Sequence, residues 1–248
     1  MRYNAQRHRL PICHAFGVLL VDKPATWTSF DVVNFVRSRF NVPKVGHCGT
    51  LDPAATGLLV LTLGKFTSYS SRFAGQDKCY DATLYLGKTT DSGDLDGETT
   101  STCDISHLTE EQVRETVLSF TGAQKQLPPM VSAVKVGGKK LYELARKGIE
   151  IEREPRDIFI NRIDISRLKL PECDFTVECS KGTYIRTLCA DIGEKLNVGG
   201  VLTRLRRLRS GRFELKDALT VEQLKTMEQP DLEQYLAKTL VKLAGELA

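Results

Sequence analysis

The amino-acid sequence predicts an α+β fold in which a mixed, mainly antiparallel sheet is flanked by helices. Segments typical of strands and segments typical of helices are mixed along the chain without a regular strand–helix alternation. The 248 residues are 41% hydrophobic and 27% charged, which excludes a disordered or fibrous chain and allows a sizeable core. We expect one domain spanning residues 1–248, with a basic insertion at about 124–156 and a helical C-terminal extension at about 220–248.

The elements of the N-terminal half follow from short local patterns. The apolar run at 16–21 predicts a buried strand that ends at Lys23-Pro24, and Thr28-Ser-Phe-Asp opens an amphipathic helix. Thr109 begins another helix, since Gln112 completes a capping box with it. The other predicted elements are a loop at 45–57, strands at 58–63 and 80–86, and a polar loop at 90–102.

The C-terminal half is predicted in the same way. Strands are expected at 158–165 and 174–180, and a helix at 185–196. An arginine-rich segment at 202–213 has leucines between its arginines, so we expect the leucines to pack inward and the arginines to point outward together. Thr220 begins the last helical stretch.

Basic residues concentrate in two segments, although the net charge of the chain is only +4. Such clusters favour a nucleic-acid partner, and the alternative for both is an ordinary solvated charged surface. The insertion holds Lys125, Lys135, Lys139, Lys140, Arg146, Lys147, Arg153 and Arg156, and the second segment holds Arg204, Arg206, Arg207, Arg209 and Arg212.

Several classes of site and of protein are disfavoured. The seven cysteines are scattered without CxxC spacing, so we expect reduced thiols in a cytoplasmic protein. Apolar runs are too short to span a membrane. Gly87-Lys-Thr89 lacks the first glycine of a P-loop, and the loop at 91–97 lacks the final ligand of a calcium site. The four histidines have no metal-ligand spacing, and we expect neither a metal nor a cofactor.

The most unusual segment is the glycine-rich stretch from Gly46 to Gly57. Asp52 precedes Pro53 within it, and that dipeptide alone favours a helix cap. Gly57 follows too soon for a good helix, and three glycines and two threonines surround the carboxylate. Because catalytic groups concentrate on loops of a rigid scaffold, Asp52 is the leading candidate for a reacting side chain.

Motifs along residues 16–215 resemble, in the same order, those of the bacterial tRNA pseudouridine synthase B (TruB-type) family. They are Lys23-Pro24, Gly46-His47, Gly49-Thr-Leu-Asp-Pro53, Thr56-Gly57, Lys78 with Tyr80, Ser180-Lys-Gly-Thr-Tyr-Ile-Arg-Thr187 and Leu205-Arg-Arg207. Residues 126–135 resemble the segment with which that family grips RNA. Several multi-residue matches in one order are far more specific than the Leu-Asp-Pro tripeptide alone.

The resemblance implies a pseudouridine-synthase fold and isomerisation of uridine 55 in the tRNA T-arm, without cofactor, metal or energy source. Asp52 matches the essential aspartate, Arg186 its cationic partner, and Tyr80 the aromatic that stacks on the flipped base. Tyr184 and Leu205 match residues that line the base pocket, and His47 matches a histidine that fills the space left by that base. Expected RNA contacts are Lys23, Lys135, Lys139, Lys140, Arg206 and Arg207.

Two questions stay open at this point. Asp52 could attack C1′ of the ribose or remove a proton from the sugar. A noncatalytic RNA-binding or tRNA-chaperone protein on the same scaffold is the main alternative, and an acid–base hydrolase is disfavoured because the loop holds no second carboxylate. We expect a monomer without the PUA-type domain common in the family, since the 35 residues after Phe213 are too few for it.

Overall fold

A computed structural model describes residues 10–243, except 131, 133, 134, 137, 138, 141–148 and 150. The chain divides into two compact units: one contains the residues up to Gly75 and those from Arg212 on, and the other runs from Gln76 to Gly211.

The strands are β1 (Gly17–Lys23), β2 (Val45–His47), β3 (Thr56–Leu63), β4 (Lys78–Leu86), β5 (Lys88–Thr90), β6 (Thr99–Thr102), β7 (Gly122–Gln126), β8 (Lys135–Val136), β9 (Lys139–Lys140), β10 (Arg156–Lys169), β11 (Glu172–Cys179), β12 (Gly200–Ser210), β13 (Phe213–Glu214) and β14 (Leu219–Thr220). The described α-helices are α1 (Ser29–Arg39), α2 (Ser70–Ala74), α3 (Glu110–Leu118), α4 (Ile185–Lys195), α5 (Val221–Thr226) and α6 (Gln229–Leu243).

The first unit is built on the antiparallel pair β1–β3. β14 runs parallel to the outer side of β1, and β2 pairs with the end of β3. Apolar side chains of both central strands are buried with phenylalanines from the turn after β3, from α2 and from β13, and these form one core. Helix α1 begins at a capping box between Thr28 and Asp31, which satisfies backbone donors of its first turn.

The second unit is a five-stranded antiparallel sheet in the order β12-β4-β11-β10-β7. Along β11, buried residues alternate with half-buried ones, as expected for a sheet with one face covered. Helices α3 and α4 pack against the sheet. At the crossing of α4 and β12, a side chain on Gly193 would come within 2.1 Å of the Gly200 nitrogen, so only glycine fits there.

The predicted fold class is confirmed, and most predicted elements are present within one to three residues of their expected ends. Two predicted loops contain short strands. The segment 45–57 begins with β2, and 90–102 is part of the β5–β6 hairpin. No described helix is long and apolar enough to cross a membrane. All seven cysteines are free thiols, and only Cys103 is exposed.

Candidate active site

In the first unit, Asp52 lies on the loop between β2 and β3 and is half-buried. No helix follows it, because Pro53 and Ala54 form a bend and β3 begins at Thr56. The cap interpretation of the Asp-Pro dipeptide is therefore wrong for this chain. The carboxylate instead sits where the backbone turns into a central strand, with the Asp52 carbonyl accepting from the Ala55 amide at 3.1 Å.

The backbone on both sides of Asp52 is fixed from a distance in sequence. Before it, the buried Ser29 hydroxyl donates to the Leu51 carbonyl at 3.1 Å and accepts from the Leu51 amide at 2.8 Å. After it, the Pro53 carbonyl accepts from the Thr26 amide and from Lys23 Nζ at 3.0 Å. These bonds hold the loop in one conformation, as a reacting carboxylate requires.

Lys23 has a different environment from the one expected for an RNA contact. Its side chain is fully buried, and its ammonium donates to the carbonyls of Pro24, Trp27 and Pro53 at 2.6–3.0 Å. An ammonium held in this way cannot also lie on a phosphate, so the structure favours a role in holding the Asp52 loop.

His47 is half-buried at the end of β2, in register with Leu61.

In the second unit, Tyr80 lies on the central strand β4, between Val177 of β11 and Arg207 of β12. It is 9% exposed. Leu205 is half-buried opposite Ala82, two residues from Arg207. The register thus brings Tyr80, Leu205 and Arg207 to neighbouring positions of adjacent strands. The predicted base pocket of Tyr80, Tyr184 and Leu205 stays a prediction.

Arg186 lies in the first turn of α4 and is almost fully buried. Its Nη1 donates to the Ser92 carbonyl at 2.9 Å, and its Nε lies 3.5 Å from Asp94 Oδ2. Asp94 is itself held in place, because its Oδ1 accepts from the Asp96 amide and from the Ser92 hydroxyl. A neighbouring carboxylate stabilises the charge of a buried guanidinium. The predicted pairing of Arg186 with Asp52 stays a prediction.

Tyr184 is the N-cap residue of α4, and its own side chain makes no cap hydrogen bond. Gln126, at the end of β7, supplies the bonds instead: its Oε1 accepts from the Tyr184 amide at 2.7 Å, and its Nε2 donates to the Tyr184 carbonyl at 3.0 Å. Apart from the resemblance of the segment around Gln126, no sequence pattern points to this pair, because the partners are 58 residues apart.

The prediction that the arginines of β12 point outward together is wrong in part. Arg207 is 1% exposed, because β12 is a strand and successive side chains point to opposite faces. Arg204 bonds to Asp81, which raises the pKa of its guanidinium, and Arg209 bonds to Glu178 at 2.8 Å. Their charge is neutralised by the protein itself. Arg206 is half-buried opposite Asp81.

The insertion is described only in part. β8 and β9 form a short antiparallel ladder with Lys135 opposite Lys140, and Lys139 opposite Val136. The side chains of these three lysines lie outside the described part of the structure, as do Arg146 and Lys147 entirely. Their predicted RNA contacts remain predictions. No group of three potential metal-ligating side chains occurs among the described residues.

Comparison with known proteins places the chain in a family. Residues 37–185 match the model of the TruB family pseudouridylate synthase N-terminal domain, and residues 186–243 match the tRNA pseudouridylate synthase B C-terminal domain. The chain is 47% identical over 220 residues to tRNA pseudouridine synthase B of Opitutus terrae, covering 89% of this chain and 91% of that protein. It is 49% identical over 211 residues to the protein of that name from Symbiobacterium thermophilum, covering 84% of this chain and 71% of that protein.

A solved structure with a similar fold is that of a Cbf5-Nop10-Gar1 complex. The matched chain is 28% identical with a TM-score of 0.66; the match covers 89% of this chain but only 60% of that one. The family models together cover most of the sequence, and close relatives match over most of their own length. This chain therefore belongs to the TruB family of pseudouridylate synthases.

Proposed function

We propose that this enzyme converts uridine 55 in the T-arm of tRNA to pseudouridine, with Asp52 as the reacting group. The observation that carries the proposal is the placement of Asp52. It is a half-buried carboxylate on a non-helical loop whose backbone is fixed by Ser29 and Lys23. A carboxylate has no evident use in a protein that only binds an anionic polymer.

The reaction needs little besides a positioned carboxylate. The bond between ribose C1′ and base N1 breaks, the base turns, and C1′ bonds to C5. The proton on C5 is lost and N1 gains one, so no oxidant, reductant or cofactor is consumed. Asp52 either attacks C1′ as a nucleophile or removes a proton from the sugar, and as an anion it also stabilises positive charge that develops at C1′.

The target base has to leave the T-loop before this bond can be reached. In the proposed complex the flipped base stacks on Tyr80, Tyr184 and Leu205 line its pocket, and His47 takes the space that the base leaves. Tyr80 and Leu205 already lie on adjacent strands. Arg186 is a buried cation with Asp94 beside it, and the resemblance implies that it pairs with the reacting carboxylate. We expect a monomer that acts in the cytoplasm.

Phosphate contacts come from the insertion in this proposal, through Lys135, Lys139 and Lys140. Arg206 remains a candidate for a further contact, whereas Arg207 and Lys23 are buried. Backbone contacts of this kind position an RNA without reading its sequence.

The direct test is release of tritium from a tRNA transcript labelled at C5 of uridine. The proposal expects stoichiometric release from wild-type transcript and none when cytidine replaces uridine 55. Tight binding of the transcript without any release would support the noncatalytic RNA-binding alternative. Release that persists with cytidine at position 55 would mean that the enzyme acts on another uridine.

A further inference from the structure

Gln126 stands at the point where the insertion leaves the sheet. It is the last residue of β7, and it pairs with Arg156, the first residue of β10. Just beyond this pair, Arg153 Nη1 donates to the Pro128 carbonyl at 3.0 Å and ties the two segments of the insertion together. The insertion is thus joined to the sheet through a closed base, and Gln126 belongs to that base.

The side chain of Gln126 points away from this base and toward α4. It is 3% exposed, and its amide bonds both to the N–H and to the C=O of Tyr184, as described above. The Tyr184 carbonyl also accepts from the Leu188 amide at 3.0 Å, as the first bond of the helix. Holding both the N–H and the C=O of one residue restricts its φ and ψ, and with them the direction in which its Cα–Cβ bond leaves the backbone.

The bonds between Gln126 and Tyr184 also affect the position of Arg186, which follows Tyr184 by two residues. Tyr184 is the residue from which α4 starts, so any shift of its backbone moves the first turn that carries Arg186. The guanidinium has limited freedom to compensate, because it is buried and bonded to Ser92 and Asp94. A single side chain therefore connects the base of the insertion to two candidate site residues.

We propose that Gln126 is a positioning residue that couples the base of the insertion to the orientation of Tyr184 and Arg186. This rests on the proposed function for the reaction, and on the described contacts for the coupling itself. Without Gln126, the base of the insertion no longer orders the start of α4.

The kinetic test uses two variants and one matched control. Gln126→Ala removes both bonds, while Gln126→Glu keeps an acceptor for the Tyr184 amide and loses the donor to its carbonyl. We expect both to lower the single-turnover rate at saturating T-arm RNA by about 10- to 100-fold, the range that misplacement by about 1 Å produces. The dissociation constant should change less than threefold. The control, Gln124→Ala, loses a bond from the same strand to the Phe120 carbonyl and should keep the wild-type rate.

A purely structural role would give a different pattern. Both Gln126 variants would then melt at lower temperature but turn over at the wild-type rate while folded, and that result would overturn the proposal. Coupling through the base also predicts non-additivity: Arg153→Ala should lower the saturating rate of wild type but not that of Gln126→Ala. Additive effects in this cycle would count against the coupling.

A second measurement needs no turnover. Arg153→Ala opens the base of the insertion, so amide hydrogen exchange at Tyr184 and Leu188 should become faster in an otherwise wild-type chain. In the Gln126→Ala background the same substitution should add nothing. Equal acceleration in both backgrounds would refute the coupling, even if the tritium assay found no isomerisation. Failure of the proposed function and failure of this inference are therefore distinguishable.

Discussion

At the scale of single residues, Asp52 carries the most specific expectation. Asp52→Asn is nearly isosteric, and the backbone bonds to Ser29 and Lys23 do not involve its side chain. We expect the fold and RNA affinity to be kept and turnover to fall at least about 10²- to 10⁴-fold, the usual contribution of a positioned proton-transfer group, and further if the step is covalent. Single-turnover assays at saturating RNA measure this. A rate within a few-fold of wild type would exclude Asp52 as the reacting group.

Asp94 is the second residue whose substitution should lower the rate of the reaction. Asp94→Asn weakens the charge opposite Arg186 and frees that guanidinium to shift, while the bond to the Ser92 carbonyl remains. We expect kcat to fall on the order of tenfold, which corresponds to about 1.4 kcal/mol, with little change in KM. The control is Asp96→Asn, an exposed acid of the same loop whose side chain bonds to neither residue. If Asp96→Asn lowered kcat as much as Asp94→Asn does, the loss of kcat would come from the change in net charge alone.

At the scale of elements, α1 supports the Asp52 loop through one hydroxyl. Ser29→Ala leaves the buried Leu51 amide and carbonyl without that partner, so the free energy of unfolding should fall by about 1–3 kcal/mol. The loop would also lose its fixed geometry, and kcat should fall more than KM rises. Thr28→Ala is the matched control, because it removes only the cap of the same helix and should cost about 1 kcal/mol with kcat unchanged. Denaturant titration and steady-state kinetics separate the two effects.

Helix α4 should also make the stability depend on pH through Asp191. Burial, and to a lesser degree Glu194, raises the pKa of Asp191 from 3.8 to about 6. The folded chain then holds this proton to a higher pH than the unfolded chain does, so this contribution to stability is complete below pH 3.8 and is lost as the pH rises to about 6.

The replacement Asp191→Asn removes this titration. We expect it to raise the free energy of unfolding by about 1 kcal/mol at pH 7.5, less than the full linkage value because the side chain is only half-buried, and to have no such effect at pH 3.5. Asp157→Asn, at an exposed position of β10, serves as the control. A stabilisation of the same size at both pH values would contradict the assignment.

Elements with an apolar period were predictable, and those without one were not. β4 alternates and α3 carries a capping box, so both could be read locally. β6 is composed of exposed threonines and a serine, which carry no hydrophobic pattern, and its hairpin was therefore missed. The contact of Arg186 with Asp94 could not be predicted, because it joins residues far apart in sequence. The burial of Lys23 could not be predicted either, because lysine side chains usually lie in solvent. Motif resemblance made Asp52 and Arg186 candidates, and their roles stay predictions; only the fold shows which bonds hold the Asp52 loop and the Arg186 guanidinium.

At the scale of the whole molecule, binding should depend on the RNA segment that the enzyme contacts. If the insertion and the candidate site residues contact only the compact T-arm, an isolated T-arm stem-loop should be modified nearly as efficiently as whole tRNA. Affinity should fall steeply with salt, with a log–log slope of about 0.7–0.9 per phosphate contact. The measurement is kcat/KM on both substrates at two salt concentrations. A stem-loop worse by several powers of ten would show that contacts beyond the T-arm carry the binding.

The same experiment can be repeated with Lys139→Ala and Lys140→Ala together. Because these charges are expected to hold the backbone and not the reacting sugar, KM should rise more than kcat falls, and the salt slope should become shallower. An unchanged slope would place the phosphate contacts elsewhere on the surface.

The crossing of α4 and β12 has a consequence for natural variation in this family. A side chain on Gly193 would meet the backbone of Gly200, and one on Gly200 would come within 2.5 Å of the Cys189 carbonyl. The connection between them is closed by bonds from the Val198 and Gly199 amides to the Gly193 carbonyl. We therefore expect relatives to keep the length of 194–199, because an insertion or deletion there would separate the two glycines and break these bonds. The short connection fixes the C-terminal end of α4 against β12, and the rigid helix carries that constraint back to its first turn and Arg186.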